Sequence, residues 1–304
     1  MTADATAAAL AEAAGWGPFF AVEVHEPGAV AAPPWRPLRE LLDDPDALRV
    51  RVAAVRAYLA AGGDRDPPDV HLRVAASVAQ MGVTARLVSP VLAVAVCTGE
   101  VLDLGGAWWR PELGGAFPLS VTVRDAPRTH GADPRAVADA VSGRFLDGPA
   151  RELVEAARGF SVSPHVLWGN VASAVNGAAA MIARARPDLA GPANDLARLL
   201  LAGPRLAGAG QARAGTFRRR SCCLIYQATP PGSPRAVCGD CILTGSQLWR
   251  TIFGVWHRKC FAIIGKQAGQ LAWTWSWWWD GSSGWWCGVC GARSLSAKPG
   301  SATR

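Results

Sequence analysis

A helix-dominated α+β fold is predicted by three features of this sequence. Apolar residues recur at helical spacing over most of residues 46–201. Only two short stretches, at 19–24 and 118–123, have strand character, and no strand runs into a glycine-rich dinucleotide fingerprint or a phosphate-binding loop.

In chain order, an Ala-rich helix at 3–14 comes first, and the apolar run "FFAVEV" at 19–24 reads as a strand. A helix at 46–61 begins after the Asp-Pro turn at Asp44 and Pro45. Residues 70–97 read as two buried helices split near Gly82, and "PLSVTV" at 118–123 alternates with period two like a strand. Helices follow at 134–146, 149–158, 164–185 and 191–201, with no internal repeat. The stretch 203–216, rich in Gly, Ala and Arg, reads as a linker between a helical α+β body (1–202) and a cysteine-bearing segment (217–244). That segment has little core of its own and is expected to need a metal centre to hold its shape.

Residues 245–304 differ from the rest. The chain of 304 residues has a net charge of +7, and this tail, with seven Lys or Arg and one Asp, carries +6 of it. All three lysines and nine of the fourteen tryptophans also lie there. The body is therefore nearly neutral and offers no broad electrostatic footprint for nucleic acid. The compositional break points to a non-native tail, translated out of frame or appended, or to disorder; the alternative is a native Trp-rich module that binds an aromatic or membranous partner. Residues 260–279 hold one charge, Lys266, but also Gln, Thr, Ser and many Trp, which favour the membrane interface over its hydrocarbon core. No transmembrane span is expected, and peripheral membrane contact is. The first basic residue is Arg36, so the N-terminus lacks the charged region of a secretory signal, and a cytoplasmic location is expected.

In a reducing compartment, tightly clustered cysteines hold metal more often than they form disulfides. Cys222 and Cys223 are adjacent, and Cys238 and Cys241 form a Cys-x-x-Cys. A zinc ribbon builds each half-site from a Cys-x-x-Cys knuckle, and only one half has that spacing. Adjacent cysteines point apart along an extended chain, which suits the wider body of a two-iron cluster better than one compact ion. Spacing alone leaves iron–sulfur, zinc and other uses open.

The flanking residues add a resemblance. "FRRRSCCLIY" (217–226) followed by "CGDCIL" (238–243) resembles the C-terminal signature of the FhuF-like ferric siderophore reductases, whose vicinal pair and Cys-x-x-Cys hold a [2Fe–2S] cluster. "RVAASVAQMGVTARLVSPVLAVAV" (73–96) and "SPHVLWGNVASAVNGA" (163–178) are similar to helical segments of that family in the same order, so the likeness covers roughly residues 50–243. Two departures stand out: fourteen residues separate Cys223 from Cys238, where the family usually has about ten, and some sixty residues follow the motif. Loop closure rises slowly with length, so a few extra surface residues cost only a few tenths of a kcal/mol.

The resemblance implies a cytoplasmic [2Fe–2S] oxidoreductase that reduces ferric iron held by a siderophore, with Cys222, Cys223, Cys238 and Cys241 as cluster ligands and an unidentified electron donor. Candidate contacts to substrate or donor are Arg218, Arg219 and Arg220, beside the pair, and Trp168 and Asn170, on a helix where Asn170, Ser173 and Gly177 share a polar face. The alternatives are a zinc-stabilised binding module and an iron–sulfur sensor without turnover. Arg86 reads as the partner of a local acid, Cys97 as a small buried residue, and His25, His71, His130 and His165 as structural. "CGVC" at 287–290 pairs with "CGDC" only as a ribbon with an unusually long spacer.

Overall fold

The computed structural model of the chain describes residues 2–113, 115–123, 133–213, 216–230 and 237–243, together with two strands at 274–278 and 286–290. It is a helix-dominated α+β fold, as the periodicity predicts.

Helix α1, Thr2–Ala13, buries Thr6, Ala9, Leu10 and Ala13, a stripe at helical spacing that packs on the central helix described below. Strands β1, Glu23–His25, and β2, Arg36–Pro37, are followed by the one-turn α2, Glu40–Asp43. The expected strand at 19–24 is thus displaced toward its C-terminal end, because residues 18–20 form a turn. Helix α3, Pro45–Ala61, starts where the Asp-Pro pair places it: the Asp44 side chain accepts from the Asp46 N–H at 2.8 Å, and Pro45 occupies the first turn, where its missing N–H is not needed.

Helix α4 is the axis of the molecule. It runs unbroken over Leu72–Thr98, 27 residues, and ends on Gly99 in the left-handed conformation with its N–H returned to Ala95 O. The predicted division near Gly82 does not occur. A single exposed glycine costs a helix about 1 kcal/mol, which burial of nearly every side chain from Val74 to Ala95 outweighs. α4 touches α1, α3 and, further along the chain, four more helices.

Strands β3, Trp108–Trp109, and β4, Leu119–Thr122, complete a four-stranded sheet of order β1-β4-β3-β2, with β1 parallel to β4 and the other pairs antiparallel. All four side chains of β4 are buried, so its apolar–polar alternation does not separate a core face from a wet one. Ser120 is instead covered and meets His25 Nδ1 at 2.7 Å, while the His25 ring stacks on Trp108 with centroids 3.6 Å apart.

Helix α5, Pro134–Val141, is capped by Asp133 and passes into a π-helical stretch, Ser142–Ala150, with non-helical backbone at Gly148. α6, Arg151–Arg158, follows, so the predicted break between the two helices falls at Gly148 and Pro149. α7, Pro164–Ala185, is capped by Ser163. α8 spans Ala190–Ala202. Both α4 and α7 are long and apolar enough to cross a membrane by length and composition, but 67% of the most apolar window of α4 is packed inside the fold.

The segment expected to be a linker is built into the structure. Strands β5, Gly210–Arg213, and β6, Thr216–Arg219, form an antiparallel hairpin. Leu206, Ala209 and Phe217 join the same apolar core as α4 and α7. A Cβ at Gly210 would collide with the Phe217 ring, so glycine there lets the hairpin close over its aromatic anchor. The cysteine segment therefore rests directly on the helical body.

In the tail, β7, Thr274–Trp278, and β8, Trp286–Cys290, pair antiparallel. "CGVC" is thus regular strand, not the turn of a zinc knuckle. The remaining tail residues, and the expectations of disorder and membrane contact attached to them, lie outside the described residues, as does His130.

Candidate metal centre

Strand alternation decides where the three arginines of the cysteine segment go. Along β6 and its exit, Phe217, Arg219 and Ser221 are buried, Arg218 is half-buried and Arg220 is exposed. Arg219 is turned into the protein, so it is not a substrate contact as expected. Asn170, 0% exposed, is withdrawn in the same way.

The chain past β6 is fixed to α7 and α4. Ser221 Oγ donates to His165 O at 3.0 Å, and a Cβ on Gly169 would collide with that hydroxyl, so only glycine admits so close an approach. Ser77 of α4 donates to Cys223 O at 2.8 Å. Leu224 has left-handed backbone, φ 70°, which swings the chain into the short turn Ile225–Ala228. Leu224 and Ala228 pack on Ala60, Val70 and Val74, and Arg65 donates to Ala228 O.

Cys-Gly-Asp-Cys closes as a turn, with Cys241 N–H donating to Cys238 O at 3.1 Å, and Arg219 N–H donates to Asp240 O at 3.0 Å. That bond brings the second cysteine pair beside the first. Cys223 Sγ and Cys238 Sγ are 3.6 Å apart, too long for the roughly 2.05 Å of a disulfide. It is close to the ~3.8 Å between two thiolates on one tetrahedral metal at about 2.3 Å per bond. Cys222 lies against Cys223 and Cys241, and Cys238 against Cys223 and Cys241, which pushes the thiols of Cys222 and Cys238 far above their ordinary range. Cys223 is held well below it, because Cys222 and Cys238 donate to its sulfur and Arg219 adds positive charge. Backbone N–H groups point at two sulfurs: Leu224 to Cys222 at 3.3 Å and Leu243 to Cys241 at 3.4 Å.

Four thiols thus meet at one place, with Cys223 and Cys241 buried and Cys222 and Cys238 half-exposed. Among the described residues, no group of three or more His, Cys, Asp or Glu side chains is arranged to hold a single metal ion. The donor set still fits a thiolate-bound metal group: soft ligands, N–H donors to sulfur and a buried cation behind them.

Beneath the thiols lies a buried polar network that the cysteine motif does not announce. Asn170 Nδ2 donates to Gln80 Oε1 at 2.8 Å and to Ser77 O and Oγ at 3.1 Å, and Asn170 Oδ1 accepts from Arg219. Ser77 and Gln80, spaced i, i+3, are two of several polar residues buried on a mostly apolar α4, a hint of buried polar contacts but not of their partners.

The other expected residues are placed as follows. Trp168 is half-buried, with the Arg205 guanidinium 5.8 Å from its ring centroid. Arg86 pairs with no acid among the described residues; it donates to three backbone carbonyls, Phe117, Phe19 and Ala21. Cys97 is half-buried, its thiol pushed up by desolvation and by Asp188. Of the histidines, His165 meets Arg220 O at 3.3 Å and His71 is the N-terminal cap residue of α4.

No protein-family model matches this chain, and no curated protein sequence matches it.

Proposed function

We propose that the chain is a [2Fe–2S] ferric-siderophore reductase acting in the cytoplasm, with Cys222, Cys223, Cys238 and Cys241 as the cluster ligands. The observation that carries this reading is the gathering of those four thiols, from two separate stretches of chain, over a buried arginine that has no carboxylate partner among the described residues. The signature that resembles the siderophore reductases supplies the substrate class.

Siderophores hold Fe(III) through hard oxygen donors and hold Fe(II) far more weakly, so one electron suffices to release the metal. Bound to the four thiols, a [2Fe–2S] group supplies a one-electron carrier. The protein's own residues set the conditions. Leu224 and Leu243 N–H groups donate to two of the sulfurs and favour negative charge on them. Cys222 and Cys238 form the half-exposed edge through which electron transfer with substrate and donor is shortest. Arg218 and Arg220, which face outward, give that edge a positive charge that attracts an anionic chelate or an acidic donor protein.

Zinc stabilisation of a binding module is the second reading: the 3.6 Å separation of Cys223 and Cys238 is compatible with two thiolates on one zinc ion. The two are separated by colour and turnover. Protein purified anaerobically should be red-brown, and after reduction it should yield one ferrous ion per centre from a ferric hydroxamate, trapped by a ferrous chelator. Colourless protein with bound zinc, or a reduced centre that leaves the chelate ferric, contradicts the proposal.

A further inference from the structure

Arg219 presents a charge that the helical body leaves unbalanced. Its side chain is 1% exposed. One terminal nitrogen donates to Asn170 Oδ1 and, at 3.3 Å, to Val166 O. The other lies 4.0 Å from the Met81 sulfur, a weak acceptor, and Nε has no partner. Burying a guanidinium against neutral acceptors, with one nitrogen idle, is unfavourable unless an anion completes the set.

The anion-forming groups next to it are the thiols. Four thiolates around one divalent ion, or around two ferric ions and two sulfides, both sum to a net charge of about −2. On the reading that these cysteines bind such a group, we infer that Arg219 is the internal counter-cation of the centre, aimed by Asn170, Ser77 and Gln80. The aim is fixed by amide polarity. Asn170 turns its oxygen to Arg219 and its NH2 to Gln80 Oε1 and to Ser77, and Gln80 passes its own NH2 to Thr84 Oγ1 at 3.0 Å. A flipped Asn170 amide would set NH2 against guanidinium and leave Gln80 Oε1 facing an oxygen.

The arrangement ties the site to the packing of α4 on α7, since the relay bridges both helices. It also gives Arg219 opposite effects in the two states of the protein. With the thiols unliganded, the guanidinium has the depressed Cys223 thiol as its one anionic neighbour and its Nε stays without a partner. With a metal–thiolate group in place, it is paired. Arg219 is thus a positioning and charge-balancing residue: it acts on the sulfurs and does not touch substrate.

The test uses full-length protein, reduced and stripped of metal, with Co(II) as the probe through its thiolate charge-transfer absorption. Wild type, Arg219→Met and Arg219→Lys are compared by Co(II) titration and by thermal melting before and after loading. Arg219→Met should melt at or above the wild-type temperature when metal-free, bind Co(II) about tenfold or more weakly, and gain less from loading. Arg219→Lys, which keeps the charge, should stand nearer wild type in affinity. In iron-loaded protein, Arg219→Met should show a more negative reduction midpoint, since the cation favours the more negative, reduced form. Unchanged Co(II) affinity in Arg219→Met, or a metal-free melt well below wild type, overturns the inference while leaving the ligand assignment standing. A wild-type protein that binds neither Co(II) nor iron overturns both.

Discussion

Arg86, midway along α4, and Arg219, at the end of β6, are each 1% exposed, yet their surroundings differ. Around Arg86 all three guanidinium nitrogens donate to backbone carbonyls: Nε to Phe117 at 2.7 Å, one terminal nitrogen to Phe19 at 2.7 Å and the other to Ala21. Burial lowers its pKa to about 10, and the cation is nonetheless fully occupied in joining α4 to the loops at 19–21 and 117. Around Arg219 the acceptors are fewer, Nε has no partner, and the Cys223 thiol lies within electrostatic reach. The same residue type is a structural clasp in one region and an unbalanced charge in the other. On the proposed reading, the missing partners of Arg219 are supplied by a ligand at the thiols, whereas Arg86 needs none.

The comparison breaks most sharply at the thiols. Replacing Cys222, Cys223, Cys238 or Cys241 singly by Ser should remove nearly all bound metal, measured as metal per chain, while Cys97→Ser should keep it. Full metal content in any of the four variants excludes that residue as a ligand.

Next in size is Arg86→Met. It strands three backbone carbonyls, Phe117 O in the interior and Phe19 O and Ala21 O in part-buried contacts, and a buried acceptor left unpaired costs about 1–3 kcal/mol. A loss of roughly 3 kcal/mol or more is expected by denaturant unfolding, equal in metal-free and loaded protein. Arg219→Met should differ in kind, with little loss in the metal-free form. Equal losses in the metal-free forms of both variants would erase the distinction between the two regions.

Two glycines sharpen it further. Gly169→Ala pushes a methyl into Ser221 Oγ and crowds Arg219, so it should cost about 1–3 kcal/mol as an overpacked contact and reduce metal retention. Gly82→Ala, on α4 with open space around the new methyl, should instead stabilise the helix by up to about 1 kcal/mol and leave metal binding alone. Chemical denaturation of the two variants side by side reads both signs.

A last expected effect is in pH. The crowded thiols of Cys222 and Cys238 are pushed upward and keep their protons at neutral pH in the metal-free protein, so binding Co(II) must release them. Affinity should fall as pH falls, about tenfold per pH unit for each proton released. Proton release measured in weakly buffered solution checks the sign, and pH-independent affinity would mean that the thiols are already ionised.

The contrast also shows what sequence reasoning reaches. Asp44 with Pro45 marks the start of α3, because capping and proline chemistry act within a few residues. The helix at 164–185 follows from its apolar spacing. Gly82 misled because a local penalty of about 1 kcal/mol was weighed without the burial that overrides it. The stretch 203–216 misled because its small residues serve a hairpin closing on Phe217, a contact between residues that only the folded hairpin brings together. The four cysteines are apparent from spacing, but Arg218, Arg219 and Arg220 read alike in the sequence, and only the strand Thr216–Arg219 sets a buried Arg219 apart from its neighbours. Nothing local in the sequence says that Asn170 and Gln80, 90 residues apart, join beneath the thiols.

The account stands or falls on what those thiols hold. Iron, acid-labile sulfide and zinc, measured per chain on anaerobically purified full-length protein alongside its visible spectrum, test it most directly. The account predicts about two iron and two sulfide per chain, no zinc and charge-transfer bands in the visible. A colourless protein with about one zinc per chain and no sulfide would contradict it.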